Sequence, residues 1–146
     1  MKKKLHFQPL QIYKSSNIID SEPFTVSMKL HHNNHIYTLK ILFSKHATER
    51  LFLRCFSQDE VLNIIQKSFS FILSDAHINK NLSSEKRMKT LILIPDKCKL
   101  ILMANVRHKR EIDISIITVL LDYQRPYDYF KKKDTLVHYL QYCPSD

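Results

Sequence analysis

Three side chains that bind anions or exchange protons are spaced four residues apart in the segment SKHATERLFLRC. They are His46, Arg50 and Arg54, and this spacing places them on one face if the segment is helical. An imidazole exchanges protons near neutral pH, and guanidinium groups donate paired hydrogen bonds to phosphate or carboxylate. The row therefore predicts either acid-base chemistry on a bound phosphate or an ordinary charged helix face paired with carboxylates such as Glu49.

The helix that would carry this row is predicted from its boundaries. Period-two alternation in YTLKILF predicts a strand that ends near Phe43, which makes Ser44 the N-cap of a helix over residues 45–55. Ser57 and Glu60 have the spacing of a capping box, which predicts a second helix directly after the first. Two consecutive helices should therefore follow the strand.

The segments around these helices alternate as β-strands do. FTVSMKL and IYTLKILF flank Asn33-Asn34, which predicts a hairpin over residues 24–43. TLILI, KLILMANV and IDISIITVLL, separated by Pro95-Asp96 and the basic run 107–110, predict an antiparallel meander. Residues 74–89 are polar with little periodicity and predict a long loop, mobile or acting as a lid. TLVHYLQYC, near the end of the chain, predicts a short closing helix.

Composition excludes several classes of protein. Lysine and arginine outnumber aspartate and glutamate by 23 to 14, and the formal charge of +9 favours a phosphate-rich or acidic partner. Glycine is absent, although average usage would supply roughly ten in a chain of this length. A Walker loop, a dinucleotide-binding turn and a nucleophile elbow all favour glycine, so the common nucleotide-binding folds and esterases are disfavoured.

The cysteines and the apolar runs bear on location. Three cysteines with no Cys-x-x-Cys spacing are typical of a reducing compartment and argue against a disulfide framework or a zinc ribbon. The basic start MKKKLHFQPLQIY lacks a continuous apolar region, and no run approaches the length of a membrane span. These features predict a cytoplasmic protein with no membrane partner.

The run KHATERLFLRCFSQDEVLNII, followed by the strand IITVL, resembles the small bacterial His-Ala-x-x-Arg-x-x-x-Arg domain grouped with BrnT-like and RelE-like ribonuclease toxins. The resemblance covers about residues 44–121. It implies an α+β fold in which two consecutive helices pack on one side of an antiparallel sheet, here with a β-hairpin lead-in and a short C-terminal helix. We expect one domain over residues 1–146, with a β-rich N-terminal extension (1–43), a toxin-like core (44–121) and a C-terminal tail (122–146).

The resemblance also implies an activity. The implied activity is that of a metal-independent endoribonuclease that needs no cofactor. In such an enzyme a 2′-hydroxyl of RNA attacks the adjacent phosphate. His46 matches the motif as the proton-transfer group, Arg50 and Arg54 match it as phosphate ligands, and Thr118 matches the polar residue of the final strand. The family often has glycine where this chain has Cys55. A toxin also implies an acidic antitoxin or immunity protein as partner.

Each of these residues has a structural alternative. Thr118 lies in an apolar run, where a β-branched residue is a common strand former. The basic run of residues 107–110 could bind RNA from a strand end or be a solvated turn; its members are Arg107, His108, Lys109 and Arg110. The histidines of HHNNH, and His46 with Glu49, are incomplete ligand sets for a metal. A non-catalytic nucleic-acid-binding or regulatory domain would use the same basic face.

Overall fold

The computed structural model describes residues 23–121 and 134–141, which form three α-helices on a six-stranded mixed sheet. In chain order the elements are β1 (Phe24–His32), β2 (His35–Phe43), α1 (Lys45–Leu53), α2 (Gln58–Lys67), α3 (Phe69–Lys80), a 3-10 turn (Ser84–Lys86), β3 (Lys89–Ile94), β4 (Cys98–His108), β5 (Glu111–Leu121) and β6 (Thr135–Tyr139). The order of strands across the sheet is β1-β2-β5-β4-β3-β6.

The β1–β2 hairpin forms where the sequence predicts it. Asn33 and Asn34 have φ angles of 50° and 66°, the left-handed pair that a two-residue type I′ turn needs and that asparagine tolerates better than most residues. Val26, Met28 and Leu30 alternate inward along β1 and are buried. The turn between β3 and β4 contains Asp96 at a φ of 63°, so both hairpins make their turns without glycine.

The sheet is mixed, which corrects the prediction of an antiparallel one. β3, β4 and β5 form the predicted antiparallel meander, but β2 pairs with β5 in parallel, from Thr38↔Glu111 to Phe43↔Ile116. Helices α1 to α3 lie between β2 and the meander in sequence, and such a long connection allows β2 to return in the same direction as β5. Strands β1 and β2, assigned to the N-terminal extension, belong to the same sheet as the core.

The helices bury the apolar face of the sheet. α2 is strongly amphipathic and begins at the predicted capping box, with Ser57 Oγ accepting from the Glu60 amide at 3.0 Å and Glu60 Oε1 accepting from the Ser57 amide at 3.1 Å. Four fully buried residues of α2 anchor the helix on the core of the protein. They are Val61, Leu62, Ile64 and Ile65. Burial of each large apolar side chain stabilises the fold by about 1.5–3 kcal/mol.

The prediction of a long loop over residues 74–89 is wrong, because α3 continues to Lys80 and a 3-10 turn follows. Ile72 and Ala76 are buried one turn apart and anchor the helix on the sheet. Two polar residues on α3, Asp75 and Asn79, are also buried, and in the sequence they interrupt the helical pattern of apolar residues. The fold therefore has a third helix that the two-helix prediction omits.

The predicted C-terminal helix is a strand. Residues 135–139 form β6, which pairs in parallel with β3 and has Val137 opposite Leu91. The edge of β3 offers backbone donors and acceptors that a strand can satisfy, and this tertiary pairing outweighs the local helical pattern. The longest described helix, α3, has 12 residues, and none of the described helices could cross a membrane.

Candidate functional site

Helix α1 presents the predicted row to solvent. Ser44 caps the helix as predicted, with its Oγ accepting from the Ala47 amide at 3.1 Å. Ala47 and Leu51 are the buried residues of α1 and lie on the side that packs against β5. His46, on the opposite side, is therefore exposed.

His46 and Arg50 are in direct contact. The Nε of Arg50 donates a hydrogen bond to the Nε2 of His46 at 3.2 Å on the exposed side of the helix. In this hydrogen bond Nε2 is the acceptor, as it is in the imidazole tautomer that carries its proton on Nδ1. The terminal N–H groups of a guanidinium can donate to an anion at the same time as Nε, because the five donors form a planar fork. An anion that draws Arg50 away would leave the lone pair of Nε2 available as a base.

Arg54 and Thr118 are also in contact, near the C-terminal end of β5. NH1 of Arg54 donates to the carbonyl of Val119 and lies 3.4 Å from the Thr118 hydroxyl. Pairing between β2 and β5 ends at Ile116, and a bulge at Ile117 shifts the register with β4. Beyond Ile116, β5 has no partner on the β2 side among the described strands. Arg54 therefore supplies a donor to a stretch of β5 that β2 does not reach.

The turn after α1 places Cys55 in the left-handed region of backbone conformation. Cys55 has a φ of 52°, its amide donates to the Phe52 carbonyl at 3.2 Å, and the Phe56 amide donates to the Leu51 carbonyl at 3.0 Å. These two bonds are the Schellman motif that ends many helices, in which glycine is the preferred left-handed residue. The position where the resembling family often has glycine is therefore a left-handed position here, occupied by cysteine at a cost of about 1 kcal/mol.

The basic turn of residues 107–110 joins β4 to β5 and is partly neutralised. Arg107 donates from Nε and NH2 to the two carboxylate oxygens of Asp113, at 3.1 Å and 2.7 Å. These hydrogen bonds and the charge of Asp113 raise the pKa of Arg107 above its usual value. Thr118 lies seven residues along β5 from Glu111, roughly 23 Å away. The turn and the Arg54–Thr118 contact are thus at opposite ends of β5.

A buried polar network under α3 was missed in the sequence. Asp75, only 2% exposed, accepts at Oδ2 from the Thr90 hydroxyl at 2.7 Å, and Nε2 of His138 lies 2.8 Å from the same oxygen. The ring of His138 stacks on Phe71, with 4.6 Å between centroids. The network joins α3 to β3 and β6. The one signal in the sequence is an aspartate inside the apolar run FSFILSDA, which a buried partner can explain.

Asn79, one turn after Asp75, is completely buried and satisfies backbone groups. Its amide nitrogen donates to the carbonyls of Met88 and Ala104 at 2.9 Å and 2.8 Å, and its oxygen accepts from the Met88 amide at 2.7 Å. Pairing of β3 with β4 reaches Leu102, so Asn79 bridges the start of β3 to the stretch of β4 beyond that pairing. This role is structural.

Comparison of the chain with protein-family models, with curated proteins and with solved structures found no match. Within residues 23–121 and 134–141, no three histidine, cysteine, aspartate or glutamate side chains are grouped so that they could hold a metal ion.

Proposed function

We propose that the protein is a metal-independent ribonuclease of the bacterial toxin class, acting in the cytoplasm, with His46 as the proton-transfer group and Arg50 as the phosphate ligand. The observation that carries this proposal is the exposed hydrogen bond between Arg50 Nε and His46 Nε2. It joins an imidazole to a guanidinium on a surface that a polyanion can reach. The formal charge of +9 favours such a ligand.

The contact also suggests the order of events. A phosphodiester of RNA binds the guanidinium of Arg50, which releases Nε2 of His46 from its hydrogen bond. Nε2 then accepts the proton of the 2′-hydroxyl while that oxygen forms a bond to phosphorus and the 5′-oxygen leaves with a proton from solvent. Arg50 stabilises the charge that develops on the phosphoryl oxygens. The products are a cyclic phosphate and a free 5′-hydroxyl.

Arg54 and Thr118 have a different part in this proposal. Because Arg54 donates to the Val119 carbonyl and contacts Thr118, these residues hold the end of α1 against β5. They would position His46 and Arg50 and would affect cleavage indirectly. The basic turn would add phosphate contacts through Lys109 and Arg110, with Arg107 engaged by Asp113.

The same observation on Arg54 favours a second candidate, a non-catalytic nucleic-acid-binding domain. With Arg54 engaged at the sheet, one guanidinium remains beside His46, which suffices to bind a phosphate but supplies less stabilisation for a transition state.

Under the toxin proposal the host also makes an acidic inhibitor, whose association with this basic chain would be faster at low salt.

Cleavage of labelled RNA by purified His46→Ala protein tests the proposal. We expect the rate to fall by roughly 10²- to 10⁴-fold, the usual contribution of general acid-base catalysis, while affinity for RNA stays within about twofold. His35→Ala, an exposed histidine at the start of β2, is the matched control and should cut at the wild-type rate. RNA binding without cleavage by the wild-type protein, with or without magnesium, would establish the non-catalytic candidate instead.

A further inference from the structure

The exposed side of α1 has two parallel rows of side chains. One row is Lys45, Glu49 and Phe52, and the other is His46, Arg50 and Leu53; within each row the spacing is four and then three residues. At 100° per residue, members of a row stay within about 60° of one another around the helix axis, and each row is about 10 Å long. Charged and polar side chains thus occupy the N-terminal part of this surface, and two apolar ones occupy its C-terminal end.

The apolar end is unusually exposed. Phe52 and Leu53 are 56% and 68% exposed, although large apolar side chains at the end of a helix commonly pack against the next element. The other exposed large apolar side chains among the described residues are not adjacent in the chain; two lie on β2, one on α3 and one on β6, and they are Ile36, Leu42, Ile78 and Tyr139. A single exposed apolar side chain needs no explanation, but an adjacent pair beside charged groups is typical of a binding surface.

We propose that Phe52 and Leu53 form a stacking platform for an unpaired base of single-stranded RNA whose phosphate is bound by Arg50. The surface combines cationic groups, Lys45 and Arg50, with a flat aromatic ring and an aliphatic side chain. A ligand that fits it must be anionic and must also offer apolar faces. Unpaired nucleotides have both properties, because each carries a phosphate and a base with a π-face.

Duplex RNA fits this surface less well. Its bases are stacked on one another inside the helix, so Phe52 and Leu53 would lie against ribose and phosphate and would lose water without gaining a stacking partner. Phosphate contacts alone, from Lys45 and Arg50, do not distinguish single strands from duplexes. Glu49, which lies between Lys45 and Phe52, lowers the net charge of the surface and so reduces the purely electrostatic attraction. Discrimination against duplex RNA should therefore depend on the apolar pair.

Binding to a short fluorescent 2′-O-methyl oligonucleotide and to the duplex of the same sequence tests this inference. The 2′-O-methyl group removes the attacking hydroxyl, so affinity is measured without cleavage. We expect Phe52→Ala to weaken single-strand binding about 5- to 150-fold and to leave duplex binding unchanged, given that stacking on an aromatic side chain contributes about 1–3 kcal/mol per base. Phe52→Tyr keeps the ring and should keep the wild-type affinity.

Ile78→Ala, which removes an exposed apolar side chain from α3, is the matched control and should not alter either affinity. Equal loss of single-strand and duplex binding in Phe52→Ala, or equal loss in Ile78→Ala, would overturn the inference. So would a change of oligomeric state in Phe52→Ala, which would assign the surface to a protein partner. The inference rests on the proposed function only in taking RNA as the ligand. If the protein binds single-stranded RNA but does not cleave ordinary RNA, the proposed ribonuclease activity is wrong and the stacking platform is still supported.

Discussion

The polar residues of α1 and those of α3 have the same spacing but opposite surroundings. His46 and Arg50 are four residues apart on α1, face solvent, and share a hydrogen bond with each other. Asp75 and Asn79 are four residues apart on α3, are 2% and 0% exposed, and each makes hydrogen bonds to other elements. Spacing in the sequence thus establishes that two residues share a face, and only the packing of the helix decides whether that face is buried.

The difference has an energetic consequence. An exposed hydrogen bond is exchanged for one with water when a partner is removed, so its loss costs little. When one partner of a buried hydrogen bond is removed, the other partner stays in an apolar setting with its hydrogen bond unsatisfied, and this is costly. His46 and Arg50 can therefore change with little effect on folding, and Asp75 and Asn79 cannot.

The largest effect should come from Asp75→Ala. It leaves the Thr90 hydroxyl and His138 without their shared acceptor, and we expect the free energy of unfolding to fall by about 3 kcal/mol, measured by urea titration. Thr90→Val, which removes one of the two hydrogen bonds and keeps the shape, should cost about 1 kcal/mol. His46→Ala is the exposed counterpart, with an expected change within about 0.5 kcal/mol. Similar losses in Asp75→Ala and His46→Ala would refute the contrast between the two helices.

An intermediate effect should come from Arg54, which follows His46 and Arg50 at the same four-residue spacing but contacts the sheet. Arg54→Ala removes a charged donor from the Val119 carbonyl, and we expect a loss of about 1.5 kcal/mol in the free energy of unfolding. Arg50→Ala, in the same row and one turn earlier, should lose no more than about 0.5 kcal/mol and should instead weaken RNA binding. If the two arginine variants are equally stable, Arg54 does not support the edge of β5.

The smallest effect should come from Glu60, a half-buried residue of the capping box. Partial burial raises the pKa of Glu60, but hydrogen bonds from Ser57 and the nearby charge of Lys97, 3.3 Å away, outweigh it and lower the pKa below its ordinary 4.5. A carboxyl whose pKa is lowered on folding stabilises the protein above that ordinary value, and the stabilisation is lost as pH falls through the lower folded value.

We therefore expect Glu60→Gln to cost about 0.5 kcal/mol near neutral pH, a small figure because solvent screens the pair. The difference from wild type should vanish in thermal melts as the pH falls below 4.5, and should shrink in about 1 M NaCl. A difference that grows on acidification would contradict the sign of the shift.

Features set by neighbouring residues could be predicted from the sequence. The Asn33-Asn34 turn, the Ser44 cap and the capping box of Ser57 and Glu60 each depend on a few adjacent residues, and all three are confirmed. The common face of His46 and Arg50 follows from helical spacing alone.

The features that could not be predicted depend on distant parts of the chain. Parallel pairing of β2 with β5, and of β6 with β3, needs strands that local patterns do not relate. Burial of Asp75 requires Thr90 and His138 to come to the same place from two other elements. The resemblance grouped Arg54 with Thr118, and the two side chains are in contact on a stretch of β5 beyond its pairing with β2, which no local pattern indicates.

The parallel pairing of β2 with β5 has a consequence for the time course of folding. Residues 44–110 separate the two strands, so β2 cannot pair with β5 until synthesis has passed residue 116. The β1–β2 hairpin is made first, and an isolated two-stranded hairpin is at best marginally stable in water. Its apolar face, which includes Val26, Met28 and Ile41, then has no sheet to join. Among the described elements, the β1–β2 hairpin is therefore the one that waits longest for its partner strand, and it is exposed to aggregation until β5 is synthesised.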